Sequence, residues 1–387
     1  MTATLEKSLV IGGGVIGLSI AWRLAREGRR VRLLERDRVG RATSWAGAGI
    51  LPPARLEGAT DPLDQLRGLS HQSFPLWVSE LEDFTGIECG LRRCGGWYLA
   101  DTPGERAAML GMTGYWDQLG IECEAVSSQA LSKREPALAT WAKRHDDASA
   151  WWVPDEYQLR SPRYLSALRQ ACLQQGVEID EGVEVTDVRD RSGAAEVRVG
   201  NLWHAADDVI LCGGAWISQI APGMRLERSV IPIRGQILLL KTAELLSTRV
   251  INVGNRYLVC RDDGHVLVGS CEEEVGFQLG TTDTMIESLR GFAKSLIPDL
   301  ATAEQAGCWS GLRPMTFDGF PMIGRVPGSL SIYVAGGHYR SGLHLSPGTA
   351  MVLTDLVLGR TPVVSLEPFR VGKQQTPSDS PLSGIRA

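Results

Sequence analysis

The chain has 387 residues, enough for one large or two intimately packed domains with a sizeable core. It is 43% hydrophobic and 22% charged with a net charge of −5, an ordinary globular balance that excludes the basic signature of a nucleic-acid or anionic-membrane binder. No apolar run reaches the roughly 18 residues a membrane helix needs, and no signal segment precedes the first strand, so a soluble protein is expected.

Ser8 to Ile11 is a short apolar strand ending on three glycines. Val15 to Glu27 has helical spacing, with Ile16, Ile20 and Leu24 on one side, and Gly28 stops it. Val31 to Leu34 is a second strand, ending in Glu35. This is a βαβ unit. Small residues follow from Thr43 to Pro53. Ser70 to Leu131 reads as helices and short strands, and Trp151 to Pro154 as a strand. Pro162 opens a helix through Gln175, and Gly176 ends it. Strands are expected at Val177 to Ile179, Val183 to Val185 and Val209 to Cys212. Strand and turn alternate from Val230 to Gly269, including Gln236 to Leu240, Tyr257 to Cys260 and Val266 to Val268. Asp263-Gly264 marks a hairpin turn. A helix covers Thr284 to Leu296, a buried strand Ile332 to Ala335, and a closing helix Thr349 to Leu358. The tail from Gly372, rich in Ser, Pro, Gln and Gly, is expected to be disordered.

The eight cysteines form no CxxC pair and no Cys/His cluster, so no metal is expected. Cys212 and Cys260 sit in apolar runs and read as buried thiols, and a reducing cytoplasm fits best. Eleven tryptophans stand beside seven Tyr and seven Phe, and core packing accounts for most of them.

Gly12, Gly14 and Gly17 form a GxGxxG that follows a strand and opens a helix, the context this motif requires. Gly12 permits the tight turn, Gly14 lets a pyrophosphate approach the backbone, and Gly17 lets helix pack on strand. Glu35 ends the next strand about 20 residues on, where a carboxylate accepts ribose hydroxyls. An acid there argues against a 2′-phosphate. These residues leave NAD and FAD open. The small and hydroxyl-bearing loop Thr43-Ser-Trp-Ala-Gly-Ala-Gly49 favours FAD, because it suits an extended phosphate and ribityl chain.

Four segments resemble one family: Val10 to Gly17 with Glu35, Ser44 to Gly49, Trp309 to Gly324, and Gly336 to Gly342. Weaker matches are Arg234-Gly-Gln236, Tyr257 to Arg261 and Gly213 to Trp216. In these the chain resembles the D-amino acid oxidase-like flavoproteins, and within them the glycine oxidase branch of thiamine biosynthesis. The resemblance implies a mixed α/β fold, a Rossmann-like FAD-binding domain with an inserted antiparallel substrate domain. The expected bounds are 1–85, 155–225 and 310–371 for the first, 86–154 and 226–309 for the second, and a tail at 372–387.

The resemblance also implies roles. Arg313 would hold a substrate carboxylate by a two-point contact. Tyr257 would hydrogen-bond the same group, and Arg340 would reach the mouth of the site. Gly12, Gly14, Val15, Ile16, Gly17, Glu35, Arg36, Thr43, Ser44, Ala48, Gly49, Ile50 and Val185 would hold FAD from the N-terminal and central segments. His338, Tyr339, Arg340, Ser341, Gly342, Leu343 and His344 would hold it from the C-terminal one, and the helix after Pro347 would offer its N-terminus to the ring. No cysteine stands at Gly311, so the FAD is expected to be non-covalent.

The chain departs from the family pattern at Ser341, commonly Asn, and at His344, commonly apolar. Cys260 and Phe317 stand where Pro is frequent. His344 reads as a lone core histidine or as a polar wall, with the first preferred. No general base is obligatory. The expected reaction converts glycine, sarcosine or small D-amino acids with oxygen into glyoxylate or a 2-oxo acid, ammonia and hydrogen peroxide, feeding thiazole synthesis. The rival readings are a dehydrogenase of D-amino acids or N-substituted glycines that uses a quinone, and a non-catalytic flavin module. A homo-oligomer, with tetramers common among relatives, is expected, without nucleic acid or membrane partners.

Overall fold

The computed structural model describes residues 7–372 apart from 146–147, 192–193, 225 and 227–228. The tail expected to be disordered lies outside the described residues, Gly372 excepted.

A six-stranded sheet forms one layer, in the order Met322–Arg325, Ile332–Gly336, Asp208–Leu211, Lys7–Ile11, Arg30–Glu35, Glu178–Glu181. All neighbours are parallel except the first two strands, which are antiparallel. Lys7–Ile11 is central, flanked on both sides, and Leu9 and Val10 are fully buried. That is why its sequence reads as a continuous apolar run rather than an alternation. The helix Val15–Arg26 buries Leu18, Ala21, Trp22 and Ala25 in the same cluster as Tyr164, Leu168, Ala350 and Leu353 from the helices Ser161–Gln174 and Gly342–Val357.

The second layer is an eight-stranded sheet in the order Glu304–Met315, Ile231–Lys241, His265–Gly269, Arg256–Cys260, Val250–Val253, Gly96–Leu99, Ala150–Val153, Glu124–Val126. Its two faces separate by strict alternation. The register row Trp97, Ile251, Leu258, Val268, Leu238 is buried against Ile286, Leu289, Ala293 and Leu296 of the helix Asp283–Leu296. The adjacent row, Tyr98, Asn252, Tyr257 and Gly269, takes the opposite face.

Two sequence expectations differ from the structure, and a third stretch is made specific by it. Val183 to Val185 is not a strand. The strand is Val185–Arg191, in a three-stranded antiparallel sheet with Ala194–Val199 and Leu202–Ala206. Its outward positions carry Asp187, Arg189 and Arg191, which masked the period of two. The helices Pro62–Thr85 and Pro103–Gln118 emerge from a stretch read only loosely, the first capped by Asp61 and the second by a Thr102–Glu105 capping box. The closing helix starts at Gly342, not Thr349, with Pro347 inside it. A proline removes the bond to the carbonyl four residues back. Here that carbonyl belongs to Leu343, and the Ser346 hydroxyl donates to it at 2.8 Å. No helix among the described residues is long and apolar enough to cross a membrane.

Candidate active site

The carboxyl ends of the parallel strands and the Tyr98–Tyr257 face of the second sheet enclose a cavity of about 820 Å³. Every residue named above for cofactor or substrate lines it, except Gly17. Gly17 lies behind the wall: a Cβ there would sit 1.9 Å from the carbonyl oxygen of Gly12. Its place is helix–strand packing. Gly14 lines the cavity, and a Cβ on it would meet only Ser44 Oγ, at 3.3 Å.

The N-terminal loops are tied to this turn. Glu35 accepts from the Gly13 N–H at 2.7 Å and from the Asp37 N–H at 2.9 Å. Ser44 Oγ accepts from the Val15 N–H at 3.0 Å, and Thr43 Oγ1 donates to the Leu312 carbonyl at 2.7 Å. Thr43 thereby fastens the loop to the strand that carries Arg313. The helices Val15–Arg26 and Gly342–Val357 both begin at the cavity, with no acidic residue in either first turn. Two positive helix ends therefore face one space.

Arg313 comes from the strand Glu304–Met315 and is half-buried. Its Nη1 donates to the Cys271 carbonyl at 2.9 Å and its Nη2 to Ser270 Oγ at 2.7 Å. Among the described residues no carboxylate pairs with it. Tyr257 is 8% exposed, and its hydroxyl has no protein partner among the described residues. Arg340 differs: Glu272 pairs with its Nη1 at 2.9 Å, and the Asn255 carbonyl accepts from Nη2 at 3.3 Å. It is a neutralised rim residue.

The C-terminal segment is held in an unusual backbone. Tyr339, with φ 46°, is the one non-glycine with positive φ among the described residues, and its N–H donates to the Pro314 carbonyl at 2.9 Å. Burial lowers the pKa of His338 to about 3, so its neutral ring bonds Thr349 Oγ1 at 3.1 Å. His344 is no lone core histidine. It is buried, yet it lines the cavity and meets His71 at 3.3 Å.

Sequence reasoning missed three residues. Trp216 lines the cavity with the Arg36 guanidinium 4.9 Å over its ring. Arg261 is buried and donates to Gln158 Oε1 and to the Ala48 and Leu159 carbonyls at 2.8, 2.8 and 3.1 Å. Burial, with the charge of Arg160, pulls its pKa down to about 10. Glu156 is fully buried behind the cavity wall, receiving hydrogen bonds from Tyr98 and, at 3.1 Å, from Asn252 Nδ2. Burial pushes its carboxyl up to about 7. The segments Gly213 to Trp216 and Tyr257 to Arg261 hinted at the first two; Glu156 depends on which strands pair.

A mostly parallel sheet with a GxGxxG turn, closed over by a sheet that is antiparallel except where Gly96–Leu99 pairs parallel with Val250–Val253 and that presents an unpaired arginine, defines a dinucleotide-dependent oxidoreductase fold. Residues 7–356 match the model of the FAD dependent oxidoreductase (DAO) family, and the chain belongs to that family. Its cofactor is FAD. The chain is 34% identical to the glycine oxidase of Pseudomonas aeruginosa over 367 residues, covering 94% of this chain and 98% of that protein. It is 31% identical over 391 residues to the bifunctional protein ThiO/ThiG of Synechocystis, covering 99% of this chain and 56% of that protein. The crystal structure of glycine oxidase from Geobacillus kaustophilus superposes with a TM-score of 0.89 at 29% identity, covering 96% of this chain and all of that one.

Proposed function

We propose that this enzyme oxidises glycine and related small amines, including sarcosine and small D-amino acids, at the amine-bearing carbon. The products are glyoxylate or the matching 2-oxo acid, ammonia and hydrogen peroxide, with oxygen as acceptor. The observation that carries the proposal is Arg313, a half-buried guanidinium facing the cavity with no anionic partner among the described residues. A half-buried guanidinium that faces a cavity and lacks a carboxylate partner suits an amino acid carboxylate, which meets it in a fork-to-fork contact. The likeness to the Pseudomonas and Geobacillus glycine oxidases supports the same substrate class.

Bound FAD would accept the hydride and pass the electrons to oxygen. The rest is the work of the chain's own residues. Gly12, Gly14, Val15 and Ile16 would cradle the pyrophosphate, with room left by the missing side chain of Gly14. Glu35 would take the ribose and Arg36 the adenosine end, beside Val185. Thr43, Ser44, Ala48, Gly49 and Ile50 would line the extended middle, and His338 to His344 the ring. Tyr257, with its unpartnered hydroxyl, would share the substrate carboxylate with Arg313. The protein then contributes orientation and the exclusion of water rather than a general base.

Mixing the protein with glycine in the absence of oxygen should bleach the flavin absorbance. An unreduced spectrum at saturating glycine removes glycine as substrate. Supply of thiamine thiazole synthesis is supported by the likeness to ThiO/ThiG. A cytoplasmic homo-oligomer belongs to the same proposal, and light scattering checks its assembly.

The proposed division into an FAD domain (1–85, 155–225, 310–371) and a substrate domain (86–154, 226–309) is supported by strand membership. The six-stranded sheet draws only on the first set, and the eight-stranded sheet draws on the second until Glu304–Met315 runs past 309.

A further inference from the structure

His344 stands where the resembled family commonly has an apolar residue. It is 4% exposed and lines the cavity from the first turn of the helix Gly342–Val357. Its Nε2 lies 3.3 Å from His71 Nδ1, on the helix Pro62–Thr85. His71 Nε2 lies 3.1 Å from Asp155 Oδ2, and Asp155 Oδ1 lies 2.9 Å from the Nε of Arg93, which is 57% exposed. An unbroken row of polar atoms thus joins the cavity wall to solvent. A core histidine needs one partner for satisfaction; it does not need a second histidine and a carboxylate behind it.

The proton positions follow from the partners. Ionised Asp155 only accepts, so His71 carries a proton on Nε2. A neutral His71 therefore accepts at Nδ1, and His344 donates from Nε2. The remaining nitrogen, His344 Nδ1, has no protein partner among the described residues and is an acceptor in this state. A proton that arrives at His344 Nδ1 can be relayed. The Nε2 proton moves to His71 Nδ1, His344 ends neutral with its proton on Nδ1, and the positive charge rests on His71 beside Asp155.

The surroundings favour that location. Burial, then the charges of His71 and Arg67, hold His344 well below the usual histidine range. Burial raises the Asp155 carboxyl, but the hydrogen bond from His71 and the charges of His71 and Arg93 outweigh it and keep it ionised. The other charged and titratable groups around the pair are few. Arg67 is ion-paired with Asp64 at 2.7 Å on the same helix, and the Tyr157 ring stands edge-on to His71 at 5.4 Å.

We propose that His344, His71 and Asp155 form a proton relay that takes up one proton when the cofactor in this cavity gains two electrons. The inference rests on reading the cavity as the FAD site. The electrons come from the substrate, and the proton from solvent by way of water in the cavity, each water gaining a proton as it passes one on. The only bonds changed in the relay are N–H bonds. The stored proton returns when oxygen takes two electrons and two protons to become hydrogen peroxide. His344 bounds the cavity, and His71 and Asp155 are positioning residues that act through it.

The test is the midpoint potential of bound FAD between pH 5.5 and 9, set with a chemical reductant and dye and with no amine present. Each proton taken up per two electrons adds about 30 mV per pH unit. The wild-type protein should show a pH region steeper by about 30 mV per unit than His344→Gln or His71→Gln. Glutamine keeps a hydrogen-bonding side chain but carries no proton, and FAD affinity of the His71→Gln apoprotein within about threefold of wild type would show an intact pocket. Asp155→Asn should move the steep region to lower pH, because the amide no longer offers a negative charge to the proton that the relay takes up. One common slope in wild type and all variants overturns the relay, as does wild-type steepness in His71→Gln. If His344→Gln binds no FAD, His71→Gln and Asp155→Asn decide. If the slopes differ but glycine leaves the flavin oxidised, the relay stands and the substrate reading falls.

Discussion

A Cβ placed on Gly235 would lie 2.2 Å from Arg313 Nη2. The guanidinium rests on a glycine of the neighbouring strand, across the register pair Gly235–Gly311, two residues from its own partner Ile233. Gly235→Ala must therefore displace the fork without touching its charge. We expect a KM for glycine raised about as far as by Arg313→Ala, roughly a hundredfold. That is the scale of two charge-assisted hydrogen bonds at about 1.5 kcal/mol each. FAD absorbance should be unchanged in both variants. A normal KM in Gly235→Ala would remove Arg313 from carboxylate binding.

Glu35 serves two neighbours at once. Its carboxylate accepts from Gly13 and Asp37 and faces the cavity. Glu35→Gln should weaken FAD binding about tenfold, roughly 1.4 kcal/mol, by loss of a charged acceptor. Fluorescence titration of the apoprotein reads this directly, and unaltered affinity would place the ribose elsewhere.

Arg261 holds the loop at Ala48 from beneath. Replacing it with Met would leave the Ala48 and Leu159 carbonyls and Gln158 Oε1 without their donor. We expect a loss of about 3 kcal/mol in stability, the scale of breaking a buried charged network. Thermal unfolding should fall by several degrees, and FAD should bind more weakly, because Ala48 and Gly49 line its cavity.

Glu156 sets a pH dependence. Burial raises its folded pKa to about 7 from an ordinary 4.5. The protonated form therefore belongs to the folded protein. The stabilisation is fully present below about pH 4.5 and is lost as pH rises through 7, on the order of 3 kcal/mol in all. Between pH 5 and 9 the wild-type melting temperature should fall more steeply than that of Glu156→Gln. Parallel curves would mean that Glu156 stays ionised in the fold.

Much of the nucleotide half was legible because its signals are local. Gly12 to Gly17 and Glu35 lie within one βαβ unit, so strand, turn and helix could be read from neighbouring residues. The closing helix was read short because its start was placed after Pro347, whereas it begins at Gly342. Whether Pro347 stops a helix depends on Ser346, whose hydroxyl takes up the freed carbonyl of Leu343. Glu156 carries no signature at all: its environment is made by Tyr98 and Asn252, distant in sequence and adjacent only through strand pairing.

What the sequence by itself determined is the chemistry available: a glycine-rich phosphate turn, a ribose acid, a guanidinium and a tyrosine. These depend on residue type and short spacing, and the backbone rules that govern them act over a few residues. Only the tertiary structure decided which charges remain free. Arg313 and Arg340 look alike in the chain, but Glu272 pairs with Arg340 while Arg313 meets only Ser270 and a carbonyl. His344 looked like a solitary core residue until the helix Pro62–Thr85 brought His71 against it. Electrostatic partners are set by distance in space, and the pairing of strands and helices that fixes those distances is not written at any single position.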